Sequence, residues 1–102
     1  MGLDIGGTSA KYALVDRYGG IHQRGGFDTG KEMSKHAFLQ QTSNVVGWAQ
    51  EQGVQGIGVC SLGAVNTATG EILGAVENLP FLEGLNLKEQ IHQTLPNTPV
   101  MI

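Results

Sequence analysis

A chain of 102 residues, 40% of them hydrophobic, can bury one modest core and falls within the ordinary span of a single domain. Nine acidic against six basic side chains give a net charge of −3, which offers no basic footprint for nucleic acid. No apolar run approaches the roughly 20 residues that a membrane helix needs, and no secretory leader is visible. The single cysteine excludes an internal disulfide and is compatible with a reducing cytoplasm, while 16 glycines, about twice the usual share of roughly 7%, call for many turns and close backbone approaches.

The chain opens on Leu3-Asp4-Ile5-Gly6-Gly7-Thr8-Ser9-Ala10-Lys11, which gathers a carboxylate, two glycines, a hydroxyl and a cation around one short turn. Gly6 and Gly7 lack a Cβ, so the backbone N–H groups can approach a phosphate oxygen and form an anion-binding concavity. Thr8 adds a hydroxyl donor, and Asp4 at the end of an apolar strand can hold Mg²⁺ directly or through its waters. Lys11 supplies positive charge to the same phosphates. Neither G-x-x-x-x-G-K-[ST] nor G-x-G-x-x-G is present, and the glycines do not open a helix. The run from Lys11 to Asp16 is short and partly β-branched, Arg17-Tyr18-Gly19-Gly20 closes it, and a third run extends from Ile21 to Phe27. The pattern predicts a three-stranded antiparallel meander whose first hairpin carries the phosphate-binding parts.

Beyond the meander, Met33, Ala37, Leu39, Val45, Val46, Trp48 and Ala49 recur at helical spacing and predict a long helix from Glu32 to Gln52, stopped by Gly53. Gln55 to Ser61 reads as a buried strand and Ala64 to Leu73 as a small hairpin or projecting loop. Asn86, with Glu89 at capping-box spacing, predicts a short helix through Thr94, and Pro99 to Ile102 restarts an extended segment.

Two stretches in this order resemble a known family. Asp4-Ile-Gly-Gly-Thr8 with Lys11 is similar to the first phosphate loop of the actin-like ATPase superfamily, which includes hexokinases and acetate kinases. Gly56-Ile57-Gly58-Val59-Cys60-Ser61-Leu62-Gly63-Ala64-Val65-Asn66, Thr69-Gly70-Glu71-Ile72 and Asn78-Leu79-Pro80 resemble the strand, sugar-side loop and Asn-Leu-Pro segment of the ROK group of repressors, open reading frames and kinases. Two prolines and an acidic residue of the usual Ser-x-Pro-Gly-Pro-Val-Asp loop are absent, which bears on its stiffness and sugar preference.

The resemblance implies an α/β fold, the ribonuclease-H-like half-fold of the actin-like ATPases: a mixed five-stranded sheet with an antiparallel three-stranded meander and flanking helices. It implies an ATP-dependent sugar kinase acting on a hexose or N-acetylhexosamine, with ATP and Mg²⁺ as cofactors. Gly6, Gly7, Thr8 and Lys11 are then expected at the phosphates, Asp4 at the metal, and Ser61, Gly63 and Asn78 at the sugar. In the family the strand matching Pro99 to Ile102 leads into an Asn-Asp pair whose aspartate is the catalytic base. Since that base is expected just after Ile102, residues 1–102 are expected to be an amino-terminal lobe without kinase activity of its own. The adenine pocket, the sugar-contacting Glu and His residues and any zinc site would lie in the second lobe. The expected setting is cytoplasmic, with no membrane or nucleic-acid partner for this lobe and a homo-oligomeric full-length form. The other reading implied by the family is the sugar-sensing domain of a ROK-type transcriptional repressor.

Several other residues carry no chemistry on this reading. Cys60, inside an apolar run, is expected to be a small buried hydrophobe. His22, His36 and His92 lack metal spacing, Trp48 is expected in the core, and Glu83 to Glu89 reads as a solvated helix face.

Overall fold

The structure, a computed structural model, describes all residues from Met1 to Ile102. Its elements are β1 (Gly2–Ile5), β2 (Ser9–Val15), β3 (Ile21–Asp28), α1 (Lys35–Glu51), β4 (Ile57–Ser61), β5 (Ala64–Asn66), β6 (Glu71–Gly74), a single 3₁₀ turn (Pro80–Leu82), α2 (Leu87–His92) and β7 (Val100–Met101). The first three strands form the expected meander. In register, β1 pairs antiparallel with β2 (Leu3 opposite Tyr12, Asp4 opposite Lys11), and β2 pairs with β3 (Ala10 opposite Phe27). On its other side β1 runs parallel to β4, with Asp4 beside Cys60 and Ile5 beside Ser61. Parallel neighbours need a crossover, and α1 provides it. With β7 parallel to β4, the five-stranded sheet has the order β3-β2-β1-β4-β7, and β5-β6 is a separate hairpin.

Both helices are set by local caps. The Ser34 hydroxyl accepts the Ala37 N–H at 3.0 Å, so α1 begins at Lys35 rather than at the expected Glu32. A turn closed by Met33 N–H to the Gly30 carbonyl occupies the residues before it. At the other end Gly53 takes φ = +70°, a left-handed conformation that glycine adopts without Cβ strain, and ends the helix where the sequence predicts. Asn86 accepts the Glu89 N–H at 3.0 Å as the capping spacing predicts, and α2 ends at His92, two residues before the expected Thr94.

One contiguous core joins the sheet to both helices. Leu3, Ile5, Ile57, Val59 and Val100 from the strands meet Phe38 and Val46 of α1 and Leu87 and Ile91 of α2. Phe38 is fully buried, with its ring centroid 6.4 Å from Phe27 and 5.5 Å from Phe81. Burying such a side chain contributes about 1.5–3 kcal/mol. Trp48 is half-buried and lies 5.4 Å from the Tyr12 ring at the margin of this core.

The opposite face of the sheet has no layer on it, and this corrects the expectation for Cys60. Strand side chains alternate between faces, so with Ile57 and Val59 turned into the core, Gly58 and Cys60 face outwards and Cys60 is exposed. Asp4 and Lys11 share that face, as does Met101, 79% exposed. Glu83 to Glu89 is likewise not a solvated helix face. Leu85 and Leu87 are buried, and with Val76, Leu79 and Leu82 they continue the core through an irregular segment.

Candidate functional site

The β1–β2 turn sits at the carboxyl ends of two adjacent parallel strands, β1 and β4. In open α/β sheets this is where ligands gather. Gly6 donates its N–H to the Ser9 carbonyl at 2.9 Å and thereby closes the turn. The Gly7 and Thr8 N–H groups donate to no group of the chain. Two consecutive unengaged donors in a tight glycine turn form a concavity suited to an anion. The Thr8 side chain beside them is exposed.

Asp4 and Lys11 are exposed cross-strand neighbours on the open face, yet they form no ion pair, the only one of the chain being Asp16–His22. With Arg24, Cys60 and Met101 they line a trough of about 730 Å³ that crosses the open face. The structure thus brings Asp4, Gly6, Gly7, Thr8 and Lys11 to one corner of the sheet, with Asp4 and Lys11 in the trough and the glycine turn at the strand ends beyond it.

The residues expected on the sugar side reach the same corner by different routes. Ser61 ends β4 beside Ile5, and the adjoining Leu62 N–H donates to the Ile5 carbonyl at 2.9 Å. The Ser61 hydroxyl is turned back on its own chain and donates to the Leu62 carbonyl at 3.0 Å. Gly63 has φ = +93°, and a Cβ there would come within 2.5 Å of the Gly74 carbonyl oxygen, so glycine is required both for conformation and for space. Asn78 is the sugar-side residue nearest the turn: a Cβ on Gly7 would lie 2.6 Å from the Asn78 Nδ2. The absence of a side chain at Gly7 therefore lets the Asn78 amide approach the glycine turn closely.

Sequence reasoning missed one participant. Thr29, just past β3, donates its hydroxyl to the Gly6 carbonyl at 2.8 Å and its backbone N–H to the Thr8 carbonyl at 3.0 Å. The only available signal was position: β3 is antiparallel to β2, so the residue after Asp28 must fall beside the start of β2.

No group of three or more His, Cys, Asp or Glu side chains is assembled for metal binding, and no helix is long and apolar enough to cross a membrane. The perturbed carboxylate lies at the far end of the sheet. The hydrogen bond from His22 to Asp16, with further N–H donors from Gly20 and Tyr18, holds the Asp16 carboxyl below the usual aspartate range.

The strand order, the mixed pairing and the helix crossover define the class, a ribonuclease-H-like half-fold of the actin-like ATPase kind. Solved structures share it. A candidate N-acetylmannosamine kinase from Listeria monocytogenes superposes with a TM-score of 0.77 at 29% identity, over 99% of this chain and 33% of that one. A ROK family glucokinase from Streptomyces griseus, solved with glucose and AMPPNP, gives a TM-score of 0.77 at 24% identity over 99% of this chain and 31% of its own. A ROK family transcriptional regulator, described as a homologue of the E. coli MLC protein, gives 0.74 at 20% identity over 97% and 26%. The ROK family model matches residues 1–102, and the chain belongs to the ROK family. It spans about a third of the length of the structures it resembles. No curated protein sequence matches it.

Proposed function

We propose that residues 1–102 form the amino-terminal, phosphate- and sugar-binding lobe of an ATP-dependent sugar kinase that transfers the γ-phosphoryl group to a hydroxyl of a hexose or N-acetylhexosamine. The observation that carries this reading is the corner itself: unengaged Gly7 and Thr8 N–H groups at the strand ends, with Asp4 and Lys11 exposed and unpaired beside them. Phosphoryl transfer is achieved mainly by positioning and charge neutralisation. In this reading the Gly6-Gly7-Thr8 turn receives phosphate oxygens and Lys11 offsets their charge. Asp4 suits magnesium because a single free carboxylate is enough for an ion that keeps most of its waters. When bound, that ion supplies further neutralisation of the phosphates. Ser61, Gly63 and Asn78 form part of the sugar wall, with Asn78 at the boundary between sugar and phosphate.

The register of β7 supports the same assignment. Val100 lies beside Ile57 and Met101 beside Gly58. Continuing that register would bring the Asn-Asp pair expected after Ile102 alongside Cys60 and Ser61, at the mouth of the corner. A base there would face a sugar hydroxyl held against Asn78 and the phosphate turn. The lobe alone, without base or adenine pocket, is then inactive.

A ROK family transcriptional regulator shares this fold, so fold alone does not choose between the two activities. The kinase reading is favoured by the unengaged Gly7 and Thr8 N–H groups with an unpaired carboxylate and ammonium group beside them, the parts that phosphate binding calls for. The test is a coupled ADP-release assay on the full-length protein with glucose, N-acetylmannosamine, N-acetylglucosamine, fructose and allose. Sugar-dependent turnover by the full-length protein and none by residues 1–102 is the expected result. Absence of turnover with every sugar, together with sugar-dependent operator binding, would establish the repressor instead.

A further inference from the structure

We propose that Thr29 is the positioning residue that aims the phosphate turn, an inference that rests on the kinase reading for its consequence but not for its geometry. A turn built on two adjacent glycines has much conformational freedom, and a rotated Gly6–Gly7 peptide would point its N–H away from any ligand. Thr29 opposes that rotation from behind. Its hydroxyl donates to the Gly6 carbonyl at 2.8 Å and its N–H donates to the Thr8 carbonyl at 3.0 Å, so one residue holds both flanks of the Gly7–Thr8 segment.

Peptide planarity turns these two contacts into an orientation. In a trans peptide the C=O and the next residue's N–H point in opposite directions. Fixing the Gly6 carbonyl toward Thr29 therefore turns the Gly7 N–H away from Thr29, to the outside of the turn. The Gly7 N–H is one of the two donors that the chain leaves unengaged. Thr29 is half-buried and its hydroxyl proton is committed to the Gly6 carbonyl, so what it provides is the direction of a neighbouring donor rather than a contact of its own. The adjoining Gly30, at φ = +131°, takes a backbone conformation that L side chains rarely adopt as the chain leaves β3 beside the turn.

The experiment compares Thr29→Val and Thr29→Ser in the full-length protein. Valine keeps the shape and the backbone N–H but removes the hydroxyl donor, whereas serine retains it. Two readouts are taken: amide hydrogen exchange across residues 3–12 without nucleotide, and KM for Mg-ATP against KM for sugar. With Thr29→Val, exchange at Gly6, whose N–H closes the turn on the Ser9 carbonyl, is expected to quicken roughly tenfold, the scale on which loss of one hydrogen bond acts. KM for Mg-ATP rises by about the same factor, KM for sugar stays within twofold, and Thr29→Ser restores both readouts. Wild-type exchange in Thr29→Val, equal rises in the two KM values, or a serine variant that behaves like valine would each overturn the proposal. A wild-type protein that phosphorylates no sugar would refute the kinase reading instead, and the exchange comparison would still decide whether Thr29 holds the turn.

Discussion

At the β2–β3 turn the Asp16 carboxylate is saturated: Oδ2 lies 2.7 Å from the His22 Nε2, and Oδ1 accepts the Tyr18 and Gly20 N–H groups, both at 2.9 Å. At the β1–β2 turn, at the other end of the same strand β2, Asp4 and Lys11 stand opposite one another without pairing, and two backbone N–H groups have no acceptor in the chain. The two turns have similar parts, namely an aspartate, a pair of glycines and a cationic or protonatable neighbour. They differ in whether those parts satisfy each other. A turn that consumes its own hydrogen bonds is a structural device; one that leaves them unengaged at the carboxyl ends of parallel strands has capacity left for a ligand.

That contrast can be broken by substitution. The largest effect is expected from Asp4→Ala in the full-length protein, which should lower kcat by roughly 100-fold or more, the scale of losing one group that stabilises transition-state charge. Its sugar affinity should stay near wild type. Steady-state kinetics at saturating Mg-ATP checks this, and an unchanged kcat would remove Asp4 from the site. Next comes Gly63→Ala, which forces a Cβ against the Gly74 carbonyl at φ = +93°. A loss of about 2 kcal/mol in urea unfolding is expected.

A smaller and pH-dependent effect belongs to the other turn. Because its hydrogen bonds lower the folded-state pKa of Asp16 from the ordinary 3.8, its stabilisation is fully present above that value and is lost as the pH falls through the lower folded-state value. Melting curves on acidification should therefore show a decline that Asp16→Asn flattens, with no change in catalysis. The smallest change is a gain. Thr42 of α1 is buried with its hydroxyl unpartnered, and Thr42→Val should raise stability by about 1 kcal/mol in the same unfolding assay.

Much of this architecture was legible because its signals are local and periodic. The glycine-closed hairpins, the long helix with its stop at Gly53 and the Asn86 cap each depend on neighbours a few residues away. Cys60 was not legible in the same way. An apolar strand such as Ile57–Ser61 reads as buried on both faces, and only the tertiary fact that α1 and α2 pack on one side exposes its alternate residues. The stretch from Val76 to Leu85 was also opaque, since its buried leucines obey neither a period of 2 nor one of 3.6. At the candidate site, the residue types around the turn pointed to phosphate chemistry. The convergence of Asn78 on Gly7 and of Thr29 on Gly6 and Thr8 depends on contacts between residues 21 to 71 positions apart in the chain.

If the charges left unpaired at the β1–β2 turn belong to the phosphates of a nucleotide, removing one of them must weaken nucleotide binding, and removing the saturated carboxylate must not. Calorimetric titration of Mg-ADP into the full-length protein tests this when wild type, Lys11→Ala and Asp16→Asn are compared. About tenfold weaker binding is expected for Lys11→Ala, the scale of one charge-assisted hydrogen bond, and wild-type binding for Asp16→Asn. Equal affinities in all three proteins, or no binding of Mg-ADP at all, would contradict the assignment of the turn to nucleotide phosphates.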